Sequence, residues 1–372
     1  MKKGLTMQSE AARGICLSPN WFVRPLNTDW LHTKYLAEAL SGGECGVTLD
    51  LDRRLHAIAL HNAGYVSRHV RNKIGLLGSA FTPYRRYGIN SSRYDFVYAY
   101  GTFPQQAGGT KILWHDGPTD VELLRRRGLA DFQIAEALKA KTEIAQAADR
   151  IAMSSEYSKQ KFCEQFDVGH EKVDVLPFIL PYTEALDDEG IVAKHQAECI
   201  HILFVGRAAR RKGLDLLVEA YSNIKRIGVD ARLTIVSEMQ DGAVILPDDP
   251  SITLISGASP VEVQVLMRTA HIFAMPSREE SYGIVYIEAL AAGAVPIAPD
   301  KPQQRLLLRG GDIGALVDGS VDDVFSKLQE LVVDRDVRLR KSLLGVDVFR
   351  KIYSRSAVLQ QYACSFQKTM AS

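Results

Sequence analysis

Short apolar runs alternate with longer segments of helical periodicity along most of the chain. One such run covers residues 200–205, and the segment 214–227 that follows places its apolar residues on one helical face. Strands that alternate with helices of this length pair in parallel through crossover helices, so the pattern predicts an α/β fold. Strands are predicted at 14–17, 57–60, 95–100, 111–114, 150–153, 173–176, 200–205, 231–236, 251–255, 271–275 and 295–298, and helices at 30–40, 131–148, 214–227 and 348–369.

The chain is long enough for two domains, because 372 residues exceed the roughly 100–200 of a typical domain. Pro181 and the acidic run 187–190 predict a linker between them. We expect two Rossmann-like, doubly wound domains facing across a cleft, at 1–185 and 186–349. A C-terminal helix at about 350–372 is expected to pack back on the first. Ligands of such sheets bind beyond the carboxyl ends of the strands.

The charge and the cysteine content indicate which kinds of partner and which cellular compartment to expect. The formal net charge is +1 and the five cysteines are scattered without a CxxC pair, so we expect neither nucleic-acid binding nor a disulfide framework. Residues 1–13 lack a signal-peptide core, and no apolar run reaches the ~20 residues that span a bilayer. A cytoplasmic protein is expected. Residues 53–127 are strongly basic, which leaves open an anionic acceptor or peripheral contact with the inner membrane face.

A cationic loop follows the strand predicted at 200–205. Between Gly206 and Gly213 it carries Arg207, Arg210, Arg211 and Lys212, and a helix begins next. Arginine offers a bidentate fork to phosphate and lysine a point charge, and a helix N-terminus favours anions. The loop therefore predicts a diphosphate site.

Two glutamates bracket a second strand-to-helix junction. Glu280 and Glu288 are eight residues apart, which is ~12 Å along a helix, too far to share one metal or one proton. They can instead bind two hydroxyl-bearing parts of one elongated ligand, such as the ribose and hexose of a nucleotide sugar. The turn Ser281-Tyr282-Gly283 between them can offer backbone N–H groups to the phosphates.

These residues resemble the donor-binding signature of retaining glycosyltransferases of family four, which have the GT-B fold. The likeness covers residues 200–320, and more weakly 95–180. It implies that Arg207 and Lys212 bind the diphosphate, that Glu288 binds ribose and that Glu280 lies by the transferring sugar. The residues that carry it are Gly206-Arg207, Lys212-Gly213, Pro276-Ser277, Glu280, Gly283, Glu288-Ala289 and Gly293.

The resemblance also implies what the protein acts on. The first domain would hold the acceptor, a saccharide or lipid-linked molecule, and the second a UDP- or GDP-sugar. Transfer of a hexosyl unit would retain configuration without a metal or other cofactor. His115 resembles the family's strand-end histidine, which contacts the donor sugar and would be catalytic together with Glu280, Arg207 and Lys212.

Three departures from the family pattern keep other functions open. No glycine pair stands in 18–28, Phe178-Ile179 replaces the usual Asn-Gly, and Gln303-Gln304 replaces a further glycine pair. The alternatives are a degenerate nucleotide-binding partner, another enzyme on the same fold such as a sugar-nucleotide epimerase, and a dinucleotide-dependent oxidoreductase. Asp50-Leu51-Asp52 is interpreted as charged surface rather than a metal site.

Overall fold

The computed structural model describes residues 12–17, 47–51, 86–88, 96–100, 103–105, 111–126, 128–181, 183–239 and 244–372. The chain divides into two compact units, Met1–Pro181 with Val358–Ser372 and Tyr182–Ala357. Each unit contains a six-stranded, all-parallel sheet. The predicted α/β fold with two Rossmann-like units is therefore confirmed. The strand predicted at 57–60, the helix predicted at 30–40 and the loop 18–28 lie outside the described residues.

Strands are numbered along the chain as the structure describes them. Four of them, β2, β3, β5 and β14, were not predicted, and Asp50 lies in β2. The strands are β1 (Ala12–Leu17), β2 (Val47–Leu51), β3 (Arg86–Gly88), β4 (Phe96–Tyr100), β5 (Phe103–Gln105), β6 (Lys111–His115), β7 (Arg150–Met153), β8 (Val173–Val175), β9 (Ile200–Val205), β10 (Ala231–Val236), β11 (Ile252–Ile255), β12 (Ile272–Ala274), β13 (Val295–Pro299) and β14 (Ala315–Val317).

Helices follow most of the strands, as parallel pairing requires. They are α1 (Val121–Arg126), α2 (Asp131–Ala147), α3 (Glu156–Phe166), α4 (Asp188–Lys194), α5 (Leu214–Arg226), α6 (Pro260–Thr269), α7 (Ile284–Ala291), α8 (Pro302–Leu307), α9 (Val321–Val333), α10 (Arg335–Val348) and α11 (Arg355–Ala371).

Two predictions of local structure were wrong. The acidic run predicted as linker begins α4, because the Asp187 carboxylate accepts a hydrogen bond from the Gly190 N–H at 2.7 Å and caps the helix. The single helix predicted at 348–369 is interrupted. A π-helical turn follows α10, and Ser354 is extended at ψ 150° before its hydroxyl accepts from the Ala357 N–H in the first turn of α11.

The sheet of the first unit has the order β2-β1-β4-β6-β7-β8. The side chains of β6 and β7 are buried on both faces of the sheet, as those of parallel strands covered by helices are. On one face Trp114 packs with Phe162 of α3. On the other, Tyr362 and Phe366 of α11 pack against Tyr98. The C-terminal helix thus completes the core of the first unit.

The sheet of the second unit has the order β11-β10-β9-β12-β13-β14. Strand order therefore reverses between β9 and β12, which pair through Ile272 with Ile202 and Phe273 with Leu203. In an open parallel sheet this reversal opens a crevice at the carboxyl ends of the two strands, where ligands bind. The cationic loop follows β9 and the turn with the two glutamates follows β12, so the sheet order brings both to that crevice.

Three histidines are buried in the core of the second unit. His271 Nδ1 accepts from the His201 N–H at 2.9 Å, and its Nε2 lies 2.8 Å from the Lys194 carbonyl. His195 Nδ1 accepts from the Arg338 guanidinium at 3.1 Å. Burial lowers the pKa of His195 to about 3 and the pKa of His201 and His271 to about 4. The three rings are therefore neutral in the folded protein at neutral pH.

Candidate functional site

Three loops meet at the carboxyl ends of β9, β12 and β13. The Arg278 N–H donates to the Arg211 carbonyl at 2.9 Å, and the Ser277 hydroxyl lies 3.3 Å from the same oxygen. The Arg278 guanidinium binds both carboxylate oxygens of Asp215 at 2.7 and 2.8 Å, and the Lys301 ammonium donates to the Arg278 carbonyl. These bonds join the loops after β9 and β12 into one surface and connect the third loop, after β13, to it.

Two glycines allow these loops to approach each other. Gly213 has φ +78°, and a Cβ there would lie 2.1 Å from the Pro276 carbonyl oxygen, which no real Cβ tolerates. Gly283 has φ +83°, and a Cβ there would lie 2.5 Å from the Tyr286 ring. They precede α5 and α7, and neither helix has a side-chain cap. Both N-termini therefore present backbone N–H groups at the carboxyl edge of the sheet.

Lys212 and Glu280 form a close ion pair at the centre of this surface. Lys212 Nζ lies 2.6 Å from Glu280 Oε2, and the two side chains are only 16% and 9% exposed. The other oxygen, Glu280 Oε1, accepts from the Ser281 N–H at 3.1 Å. Gly206 follows β9 immediately, and a Cβ on it would lie 3.2 Å from Lys212 Cγ. The cation and carboxylate predicted to bind different parts of one ligand thus contact each other directly.

Arg207 differs sharply from Lys212, although both lie in the same loop. Its side chain is 73% exposed, and its Nε lies 3.8 Å from Glu238 Oε1. Exposed pairs of this geometry contribute little to stability. The Arg207 guanidinium is therefore available to an anion arriving from solvent.

Glu288 lies on α7 and is half-buried. Its Oε1 accepts from the Gln264 amide of α6 at 3.2 Å, and burial raises the pKa of its carboxyl to about 7. A carboxyl with this pKa changes its charge near neutrality, so its capacity to accept hydrogen bonds from hydroxyls depends on pH. Of the turn residues, Ser281 is exposed and Tyr282 half-buried.

A known family matches this part of the chain. Residues 192–343 match the family described as "Glycosyl transferases group 1", and they contain the three loops. This part of the chain is similar to the group 1, or family-four, glycosyltransferases. The predicted resemblance is thereby confirmed.

Curated glycosyltransferases resemble the chain over only part of its length. The D-inositol 3-phosphate glycosyltransferase of Corynebacterium kroppenstedtii is 28% identical over 221 residues, 53% of this chain and 48% of the relative. The phosphatidyl-myo-inositol mannosyltransferase of Mycobacterium leprae is 29% identical over 170 residues, 43% of this chain and 44% of the relative. The chain thus matches about half the length of these relatives.

Solved structures support a GT-B fold for the chain. A glycosyltransferase from Rickettsia africae has a TM-score of 0.65 at 14% identity, covering 97% of this chain and 99% of its own. The Anabaena protein HepE, solved in complex with UDP and glucose, has a TM-score of 0.60 at 13% identity, covering 96% and 99%. At these identities the likeness concerns the fold alone.

The predicted histidine lies in the first unit, whereas the remaining candidate residues lie in the second. His115 ends β6 and is buried, with Nδ1 2.6 Å from the Tyr98 hydroxyl and 3.5 Å from that of Tyr362. Phe178, which replaces the family's usual asparagine, stacks on its ring with centroids 6.5 Å apart. The donor-sugar contact that the resemblance implies for His115 stays a prediction.

Sequence reasoning missed three features of the site. No sequence pattern marks the Asp215–Arg278 pair that joins two loops, the Gln264 amide that donates to Glu288 or the buried amide of Gln304.

No helix of the described residues is long and apolar enough to cross a membrane. Within the same residues, no three His, Cys, Asp or Glu side chains are grouped as metal ligands would be.

Proposed function

We propose that this glycosyltransferase moves a hexosyl unit from a UDP- or GDP-sugar to an acceptor hydroxyl, with retention of configuration and without a metal. The observation that carries the proposal is the Lys212–Glu280 pair at the point where strand order reverses, beside two helix N-termini without side-chain caps. Cations and helix N-terminal N–H groups suit a diphosphate, and carboxylates suit sugar hydroxyls. The UDP in the solved HepE complex also supports a nucleotide donor.

In the proposed mechanism the ion pair separates when donor binds. Lys212 transfers its interaction to the diphosphate and stabilises the charge that grows there as the glycosidic bond breaks. The exposed Arg207 adds a second cation. Glu280, released from Lys212, accepts hydrogen bonds from the sugar, while Glu288 accepts them from the ribose. The acceptor hydroxyl attacks from the leaving-group side, and the departing phosphate takes its proton.

The acceptor is proposed to be a phosphorylated polyol or a lipid-linked saccharide. The names of two relatives support this, since one acts on D-inositol 3-phosphate and the other on phosphatidyl-myo-inositol. The basic balance of residues 53–127 points in the same direction, although most of that stretch lies outside the described residues. A phosphate on the acceptor would match such a surface.

A product assay tests the proposal. The purified protein is incubated with UDP-glucose or GDP-mannose and with D-inositol 3-phosphate or phosphatidylinositol vesicles, with and without EDTA. The expected result is a glycosylated product with the donor's anomeric configuration by NMR, formed equally with EDTA and absent from Lys212→Met. An inverted product, or a rate abolished by EDTA, would overturn retention or metal independence respectively. Epimerised nucleotide sugar in the absence of acceptor would favour the epimerase alternative.

A further inference from the structure

The side chain of Gln304 is completely buried in the second unit. Neither Oε1 nor Nε2 has a partner among the residues that the structure describes. Leaving a buried polar group unsatisfied costs roughly 1–3 kcal/mol, which is why nearly all such groups are paired. An unpaired amide at such a position therefore requires a physical explanation.

The amide lies against the predicted donor turn. Gln304 lies on α8, the helix that follows β13 and begins directly after the third loop of the site. A Cβ built on Gly283 would lie 3.5 Å from Gln304 Nε2, so the amide is directly beside the first residue before α7. Ser281 and Tyr282, the remainder of that turn, are exposed and half-buried. Contact between the amide and a ligand held at this turn requires a small shift of the turn and of these side chains.

The chemistry of the two unpaired atoms selects the kind of ligand group. Nε2 needs an acceptor and Oε1 needs a donor. A phosphate oxygen only accepts, whereas a sugar hydroxyl both donates and accepts. We infer that Gln304 binds a hydroxyl of the transferred sugar and thereby contributes to the choice of sugar. The inference rests on the proposed function, and it assigns to Gln304 a contact that a backbone glycine pair at 303–304 could not make.

The test compares each nucleotide diphosphate with its sugar. Wild-type protein and Gln304→Met, which keeps the side-chain volume but loses both polar atoms, are titrated by calorimetry with UDP and UDP-glucose, and with GDP and GDP-mannose. For Gln304→Met we expect unchanged affinity for the nucleoside diphosphate and roughly tenfold weaker binding of the nucleotide sugar, which corresponds to the loss of about one hydrogen bond. Gln329→Met, the same change at a half-exposed position of α9, should affect neither. Gln304→Asn serves as a second variant that keeps the amide but retracts it.

The outcomes separate this inference from the proposed function. Equal binding of the nucleotide sugar by wild type and Gln304→Met would overturn the inference alone. Equal weakening of diphosphate and nucleotide sugar would mean that the amide contacts phosphate or only shapes the turn, and would also overturn it. A wild type that binds no nucleotide sugar would overturn both. Thermal unfolding supplies a further readout, because removing an unsatisfied amide should leave the Tm unchanged or raise it, whereas a structural amide would lower it.

Discussion

The Lys212–Glu280 pair makes a quantitative prediction about stability. Replacing Lys212 by Met removes the cation and leaves a carboxylate that is 9% exposed without its partner. Breaking a buried pair in this way costs about 3–5 kcal/mol, because the remaining charge is poorly solvated. Adding Glu280→Gln removes that charge, so the double variant should regain much of the loss. Both variants should lose glycosyl transfer, whatever their stability.

Urea unfolding of four proteins measures this effect: wild type, Lys212→Met, Glu280→Gln and the double variant. The expected coupling between the two sites is above about 1 kcal/mol. Lys351→Met is the matched control, since Lys351 pairs with Asp347 at 2.7 Å but the two side chains are 68% and 47% exposed. That exposed pair should contribute about 0–1 kcal/mol. A Lys212→Met loss no larger than that of Lys351→Met, or strictly additive single losses, would refute the buried-pair argument.

Three further predictions follow from burial and backbone geometry. In the folded protein the pKa values of His195, His201 and His271 lie below the 6.5 of the unfolded chain. The free energy of unfolding should therefore be constant above pH 6.5 and should fall below it, by about 2 kcal/mol per histidine at pH 5. Urea unfolding between pH 7.5 and 5 that shows no such loss would contradict this. Nucleotide affinity should fall as pH drops through about 7, where Glu288 becomes protonated, and calorimetry should show this part of the pH dependence vanish in Glu288→Gln. Gly213→Ala should destabilise the second unit by more than 1 kcal/mol, because φ is +78° and the new Cβ meets a carbonyl oxygen, and a Tm equal to wild type would count against the loop geometry.

The parallel sheets were predictable from the sequence because each buried strand is a continuous apolar run. Most predicted strands of the second unit lie within one or two residues of the observed ones, for example β9 and β10. β14 was missed because its three apolar residues are bounded by Gly314 and Asp318 and belong to no longer apolar run. The acidic start of α4 was misread as linker because acidic residues are common both in linkers and in the first turn of a helix.

The candidate site was predictable as a set of residues but not as a set of contacts. Lys212 and Glu280 are 68 residues apart, and their pairing depends on β9 and β12 being neighbours in the sheet. Sequence spacing alone gives no such adjacency. The burial of Gln304 could not be predicted from the sequence either, because glutamine is ordinarily a surface residue.

Calorimetric titration with UDP, GDP, ADP and dTDP tests the central claim, a nucleotide-sugar donor site in the second unit, most directly. The purified wild type and Glu288→Ala are compared, with thermal unfolding to show that both are folded. The wild type should bind UDP or GDP selectively, and Glu288→Ala should bind the same nucleotide at least tenfold more weakly. Absence of binding for all four nucleotides, or equal affinity in the folded variant, would contradict it.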